Sequence, residues 1–277
     1  MSKLSIVTIN YNDLEGLKKT VGSVLSQTST EFEYIIIDGG STDGSAEYIK
    51  DIAKKESKVN IKWISEKDKG IYNAQNKGIS LSKGDYLQFL NSGDILVDSN
   101  VTEKMLSNLK EDDKIIYGNM LKQLPKGLFR DKGFEGRKPT FLDFYYGTLN
   151  HSPAYIQKSL FEKYGLYDET LKIVSDWKWY LQVIILFNNP IRYVPVDVTF
   201  FDMNGISNTN KTIEKDERKK VLNELIPEKI LEDFDSDAFG MDFTRRMKRV
   251  PTGMILFKIM NRIYSWLDRK IYNNYIR

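Results

Sequence analysis

The 277-residue chain has no cysteine and a single histidine, His151. Those absences remove thiolate catalysis, disulfides and Cys/His zinc sites, so a bound metal has to be held mainly by oxygen, which favours Mg²⁺ or Mn²⁺. A chain without cysteine is compatible with the cytoplasm, the expected location. Prolines number seven and no tract repeats, which argues against extended disorder. No apolar run approaches the roughly 18 residues that cross a bilayer, and the opening MSKLSIVTINYND lacks the apolar core and cleavage site of a signal peptide. The loop GGSTDGS is neither a G-x-G-x-x-G turn nor a P-loop with its lysine, so nicotinamide dinucleotides and kinase-like ATP use lose support. No nucleophile elbow accompanies His151, which removes a Ser-His-Asp hydrolase.

What the chain does contain is alternation. LSIVTI (4–9) reads as a strand, followed by a helix over about 13–27 that Asn12 or Asp13 can cap and whose apolar face is Leu14, Leu17, Val21, Val24 and Leu25. YIIID (34–38), IKWIS (61–65) and DYLQFL (85–90) repeat the pattern, with helices to about Lys55 and over 71–80 between them. Asp43 or Ser45 is the expected cap of the second helix. This order predicts an α/β fold with a mostly parallel sheet built from βαβ units. Later come a strand in IIYGNML, a Gly/Lys/Pro-rich loop to about Thr140, a strand at HSPAYI, helices over 158–164 and 174–187, and a strand IRYVPV. Beyond about Asn210 the sequence reads as helix only, giving a catalytic domain of 1–210 and a helical extension of 211–277.

In such sheets ligands sit beyond the carboxyl ends of the strands, which selects the loops 10–13, 38–45, 66–70 and 91–94. Asp38 leaves a buried strand and reads either as an Asx-turn or as a carboxylate for an imide N–H or a ribose hydroxyl. Asp94 closes NSGD, a good turn sequence in its own right.

Four blocks in order, SIVTINYN, DGGSTDGS, SEKDKGIYNAQNKG and FLNSGD, resemble glycosyltransferase family 2 on the GT-A fold, in the branch that builds bacterial surface polysaccharides. The resemblance spans about 5–207. It implies an inverting transfer from a nucleotide-diphosphate sugar, usually UDP-linked, to a saccharide or lipid-linked hydroxyl. By position it implies that Thr8 and Asn10 line the nucleotide pocket and Asp38 binds the base. Asp68 and Gly70 would lie against the nucleotide, and Asn76 and Lys77 near the ribose or diphosphate. Asp94 becomes the metal carboxylate, with Asn91 standing where a D-x-D motif has its first aspartate. Asn73 likewise replaces an aspartate of the family pattern. A lone carboxylate suffices where substrate phosphates supply the other ligands.

Asp176, in VSDWKWYL with Ser175 in place of the family's usual glutamate, is the candidate general base; the alternative is a helix N-cap. Trp177 and Trp179 stack on sugar or belong to the core. His151 ligates the metal, donates to phosphate, contacts the acceptor, or is a half-buried structural histidine. DMNGISN (202–208), with Gly205 and Ser207, resembles a lid over the donor and reads equally as a surface loop.

From Gly240 to Arg277 nine Lys/Arg face two Asp/Glu, which leaves the first 239 residues net acidic and disfavours nucleic acid. Over about 254–271, Leu256, Ile259, Met260, Ile263, Leu267 and Ile271 share one helical face opposite Lys258, Arg262, Ser265 and Arg269. That face suits an anionic membrane surface, the catalytic domain or a second subunit, as in a homodimer. Two other functions stay open: a catalytically weak nucleotide-sugar-binding or scaffolding subunit, and a nucleotidyltransferase, which usually carries a Gly-rich N-terminal loop that TINYNDLEG does not supply.

Overall fold

Runs of β-branched and aromatic residues set the first strands. β1 (Leu4–Asn10) and β2 (Phe32–Asp38) are buried at every position, the mark of strands covered on both faces. β3 (Asn60–Ser65) and β4 (Tyr86–Asn91) complete this half, joined by α1 (Leu14–Leu25), α2 (Ser45–Lys55) and α3 (Ile71–Leu81). Strands β1 to β4 pair in parallel. The computed structural model describes residues 3–56, 58–125, 127–201, 210–234 and 250–272.

The second half runs β5 (Ile95–Leu96), α4 (Val101–Ser107), β6 (Ile115–Leu124), β7 (Gly127–Asp131), α5 (Phe141–Tyr146), β8 (Ala154–Gln157), α6 (Lys158–Tyr164), α7 (Ser175–Tyr180) and β9 (Ile191–Phe201). One sheet unites the two halves, in the order β3-β2-β1-β4-β8-β6-β9-β5, with β7 beside β6. β8 is antiparallel to both β4 and β6, while β9 is parallel to β6. The start of β8 and the ends of β6 and β9 therefore share the edge where β1, β2 and β4 end, and residues from both halves meet there.

The fold is the expected α/β, parallel throughout β1 to β4, while the second half mixes the antiparallel pairs of β8 with the parallel β6–β9 pair. Other differences have local causes. The cap position of α2 is Gly44 at φ +92° rather than Asp43 or Ser45. Asp43 instead accepts from the Leu14 and Ser45 N–H groups, tying α1 to α2. On α1 the cap is Asp13, which accepts from the Gly16 N–H. The expected loop to Thr140 contains β7, and α4 and α5 were not expected. The helix over 174–187 becomes α7 followed by a π-helical stretch, Leu181–Leu186. Gly84 lies against the β1 backbone, where a Cβ would sit 2.6 Å from Leu4 C and Ser5 N.

The chain divides into two compact units, 1–219 and 220–277. α8 (Lys211–Leu225) starts in the first, and the second contains α9 (Pro251–Tyr272). Ile255, Leu256, Ile259, Met260, Ile263, Trp266 and Leu267 of α9 are exposed. No described helix is long and apolar enough to cross a membrane.

Candidate active site

Register places Asn10 beside Asp38 and Asp38 beside Ser65 across three strand ends. Asp38 is fully buried, yet every oxygen is engaged. Asn10 Nδ2 and Ser41 Oγ donate to Oδ1 at 2.8 and 2.6 Å, and Ser65 Oγ and the Ser41 N–H donate to Oδ2 at 2.7 and 3.0 Å. Burial pushes the Asp38 carboxyl up, but these hydrogen bonds outweigh it and hold the group below its usual range. Asn10 Oδ1 in turn accepts from Ser92 Oγ at 2.8 Å. One chain of hydrogen bonds thus links the loops after β1, β2, β3 and β4. Asp68 folds over the same loops: its Oδ1 accepts from the Gly70 N–H at 2.9 Å, and its Oδ2 lies where a Cβ on Gly39 would be 2.6 Å away.

A second cluster stands next to it. Gly93, at φ +97°, turns the chain after β4 so that Asp94 is buried, with the Gly93 N–H donating to Thr20 Oγ1. His151 precedes β8, and its Nδ1 lies 3.3 Å from Asp176 Oδ2. Tyr72, from the first turn of α3, donates to Asp176 Oδ1 at 2.9 Å. The His151 and Asp176 side chains keep 19% and 18% of their exposure, enough for a small molecule to reach them. Burial opposes charge on both. The mutual hydrogen bond and attraction prevail, lowering the Asp176 carboxyl and, with help from the Asp94 charge, raising the imidazole. The arrangement can accept a proton at Asp176 and present the other imidazole nitrogen toward a ligand.

That nitrogen, His151 Nε2, is buried with no hydrogen-bond partner among the described residues, as is Asn91 Oδ1. No group of three His, Cys, Asp or Glu suited to a metal occurs among them. A carboxylate, an imidazole and an amide oxygen fit a hard divalent cation whose other ligands come from substrate oxygens.

Residues 5–165 match the family described as "Glycosyl transferase family 2". The chain belongs to that family. An uncharacterised glycosyltransferase of Mycobacterium tuberculosis is 32% identical over 191 residues, 66% of this chain and 69% of the relative. Among solved structures, S. aureus TarS 1-349 in complex with UDP-GlcNAc is similar at TM-score 0.65 and 17% identity, covering 79% of this chain and 64% of that one. The mannosyltransferase PcManGT of Pyrobaculum calidifontis, in complex with GDP-Man and Mn²⁺, is similar at TM-score 0.57 and 12% identity, over 72% of this chain and 56% of that one. The chain spans under two thirds of either structure's length. It is a glycosyltransferase with the GT-A fold.

The family match ends before Asp176, whose role therefore rests on geometry. Several other positions named from the sequence lie outside the two clusters. Thr8 is fully buried, its hydroxyl accepting from Tyr34 at 3.0 Å. Asn76 is buried and its amide joins Tyr167 and Glu169: Nδ2 donates to Tyr167 O and Glu169 Oε1, and Oδ1 accepts from the Tyr167 N–H. Lys77 pairs with Glu66 at 2.7 Å. Trp177 is buried, its indole N–H donating to Phe144 O at 2.8 Å, and Trp179 stacks on Phe161 at 4.3 Å. Both tryptophans belong to packing. Gly205 and Ser207 lie outside the described residues.

The sequence reading missed Tyr72, Ser41, Ser65 and Glu169. Tyr72 sits within GIYNAQNKG, and that block was the available signal. Glu169 accepts from Asn73 Nδ2 and Asn76 Nδ2, both at 2.9 Å, so Asn73 is engaged within the protein.

Proposed function

We propose that this family 2 glycosyltransferase moves a sugar with inversion from a nucleotide-diphosphate donor, UDP-linked, to an acceptor hydroxyl in the assembly of a surface glycan. The observation that carries the reading is the convergence, at one sheet edge, of the Asp38 network, Asp94 and the Asp176–His151 pair. The GT-A likeness to proteins solved with UDP-GlcNAc or with GDP-Man and Mn²⁺ supports it.

Asn10, Asp38 and Asp68 would receive the nucleoside, because their loops form one hydrogen-bonded rim. Asp176 is the base: a carboxylate kept ionised beside His151 has a lone pair left on each oxygen to take the acceptor proton as the hydroxyl attacks the anomeric carbon. Tyr72 and His151 fix its orientation from two sides. Asp94 and His151 Nε2, with Asn91 beside them, would hold Mg²⁺ or Mn²⁺ together with donor phosphates. Bound there, the ion supplies Lewis-acid stabilisation of the departing diphosphate. A site with so few protein ligands predicts weak metal affinity without donor.

Titrating UDP-sugars calorimetrically with and without Mn²⁺, on wild type and Asp94→Ala, tests the assignment. Mn²⁺-dependent donor binding that disappears in the variant is expected. Equal binding and turnover in the two proteins would remove Asp94 and the cation from the site.

An acceptor met at an anionic lipid surface is the reading supported by α9, which exposes aliphatic residues beside exposed Lys258 and Arg262. Cosedimentation of the full chain with phosphatidylglycerol vesicles, against a Leu256→Glu/Ile263→Glu variant, checks this. Equal partitioning of the two would exclude it.

A further inference from the structure

α8, KTIEKDERKKVLNEL, is charged at most positions and reads as a solvated helix. Two of its side chains nevertheless reach back, within the first compact unit, to the segment that carries Asp176. Glu217 Oε1 accepts from the Lys172 N–H at 2.7 Å, and Oε2 accepts from the Ile173 and Val174 N–H groups at 3.0 and 3.3 Å. These are the backbone donors just ahead of α7, whose cap position, Val174, offers no side-chain hydrogen bond. Next to it, the Arg218 guanidinium lies 4.5 Å from the Trp177 ring centre and donates to Phe144 O and Gly147 O at 3.3 to 3.4 Å. Trp177 gives its own N–H to the same Phe144 carbonyl.

We propose that Glu217 and Arg218 are positioning residues that fix the α7 entry, and with it the Asp176 carboxylate, from a helix some forty residues downstream. The proposal rests on Asp176 being the base. Free N–H groups ahead of a helix need an acceptor, and a carboxylate collecting three of them is the stronger, charge-assisted kind. The opposite face of the segment is held independently, because Tyr72 OH also contacts Ile173 O. Glu217 takes the N–H groups of Lys172, Ile173 and Val174, the single Tyr72 O–H is shared between Ile173 O and Asp176 Oδ1, and Asp176 follows those N–H groups by two to four residues. Arg218 adds a plate under Trp177, the next residue, so rotation of the first turn is blocked from below. Either clamp alone would leave the segment a direction in which to move, and small misplacement of a catalytic group is costly.

The test measures kcat and KM for donor and acceptor, donor dissociation and thermal melting in Glu217→Ala, Glu217→Gln and Arg218→Met, with Asp216→Ala as a solvent-side control. Glu217→Ala should lower kcat by about 10- to 100-fold with donor affinity within about twofold. Glu217→Gln, which keeps the shape and one acceptor oxygen, should recover part of that loss and decides the matter if the alanine variant does not fold. In an Asp176→Asn background, measured by single turnover, Glu217→Ala should cost nothing further, since it acts through the carboxylate already removed. A folded Glu217→Ala protein with wild-type kcat beside an inactive Asp176→Asn protein overturns the positioning role alone, as does wild-type kcat in Glu217→Gln where the alanine variant does not fold. So does a full additional loss in the double variant. Wild-type transfer by Asp176→Asn overturns the base reading, and the positioning role with it.

Discussion

Asp38, fully buried, and Asp176, half-buried, stand at the same sheet edge, and they are built in opposite ways. Asp38 receives four hydrogen bonds from Asn10, Ser41 and Ser65, all within three adjacent strand-end loops. Asp176 is reached by Tyr72, 104 positions away, and by His151, 25 positions away. The Asp38 carboxylate is closed off and filled by the protein's own donors, which suits it to bracing the strand-end loops. The Asp176 site keeps lone pairs and a partnerless imidazole nitrogen, suited to moving a proton.

The widest separation between the two should come from Asp176→Asn. On the proposed assignment it removes the base while keeping the shape, so transfer should fall by about 10³-fold while donor affinity stays within about twofold, as read by calorimetry and a coupled assay. Donor binding lost together with turnover would erase the contrast.

Asp38→Ala should do the reverse in kind. It strands the Asn10, Ser41 and Ser65 donors in a buried place, which costs about 2–3 kcal/mol of stability, and donor affinity falls with it. Urea denaturation and donor titration on one preparation measure both. Unchanged stability with normal binding would show that the network is dispensable.

Asp168 sharpens the comparison in the reactive half. Burial works against its charge, but hydrogen bonds from Lys178 and Thr170 and the Lys178 charge pull its carboxyl down to about 2. A folded value below the unfolded 3.8 contributes stability that is fully present above about pH 4 and is lost as pH falls toward 2. The gain is at most about 2 kcal/mol. Asp168→Asn should flatten the melting temperature across that window, and an identical slope in wild type would rule the linkage out.

The smallest effect is expected at Lys77→Ala, outside both clusters. Its ion pair with Glu66 is partly solvated, so stability should move by less than about 0.5 kcal/mol. Donor affinity is then a clean readout of any diphosphate contact, and wild-type affinity would place Lys77 outside the site.

Much of the first hundred residues was legible. β1 to β4 and α1 to α3 fall where the periodicity put them, because β1 and β2 are buried runs rich in β-branched residues closed by Asn and Asp, and β3 and β4 are short, largely apolar runs closed by Ser and Asn. Asp38 and Asp94 could be placed at the edge for the same reason. Legibility declined once the sheet turned antiparallel. β7 lies in a stretch whose glycine and lysine content reads as loop, and it exists because β6 offers it an edge to pair with. Asn76 looked like a ligand-facing amide but faces Tyr167, since side-chain direction on α3 depends on what packs above it. Trp177 had two readings, and the Phe144 carbonyl and Arg218 decided for packing.

The sequence by itself determined the α/β class, the four parallel strands in succession along the chain and the loops at their ends, because those follow from local patterns of burial and turn chemistry. Only the tertiary structure decided that His151 meets Asp176, that Tyr72 completes the pair, and that Glu217 and Arg218 reach beneath them. The physical reason is that these contacts join elements brought together by the antiparallel return of β8 and by a charge-rich helix. In such a helix polar residues occur on all sides, so no periodicity marks the two that turn inward.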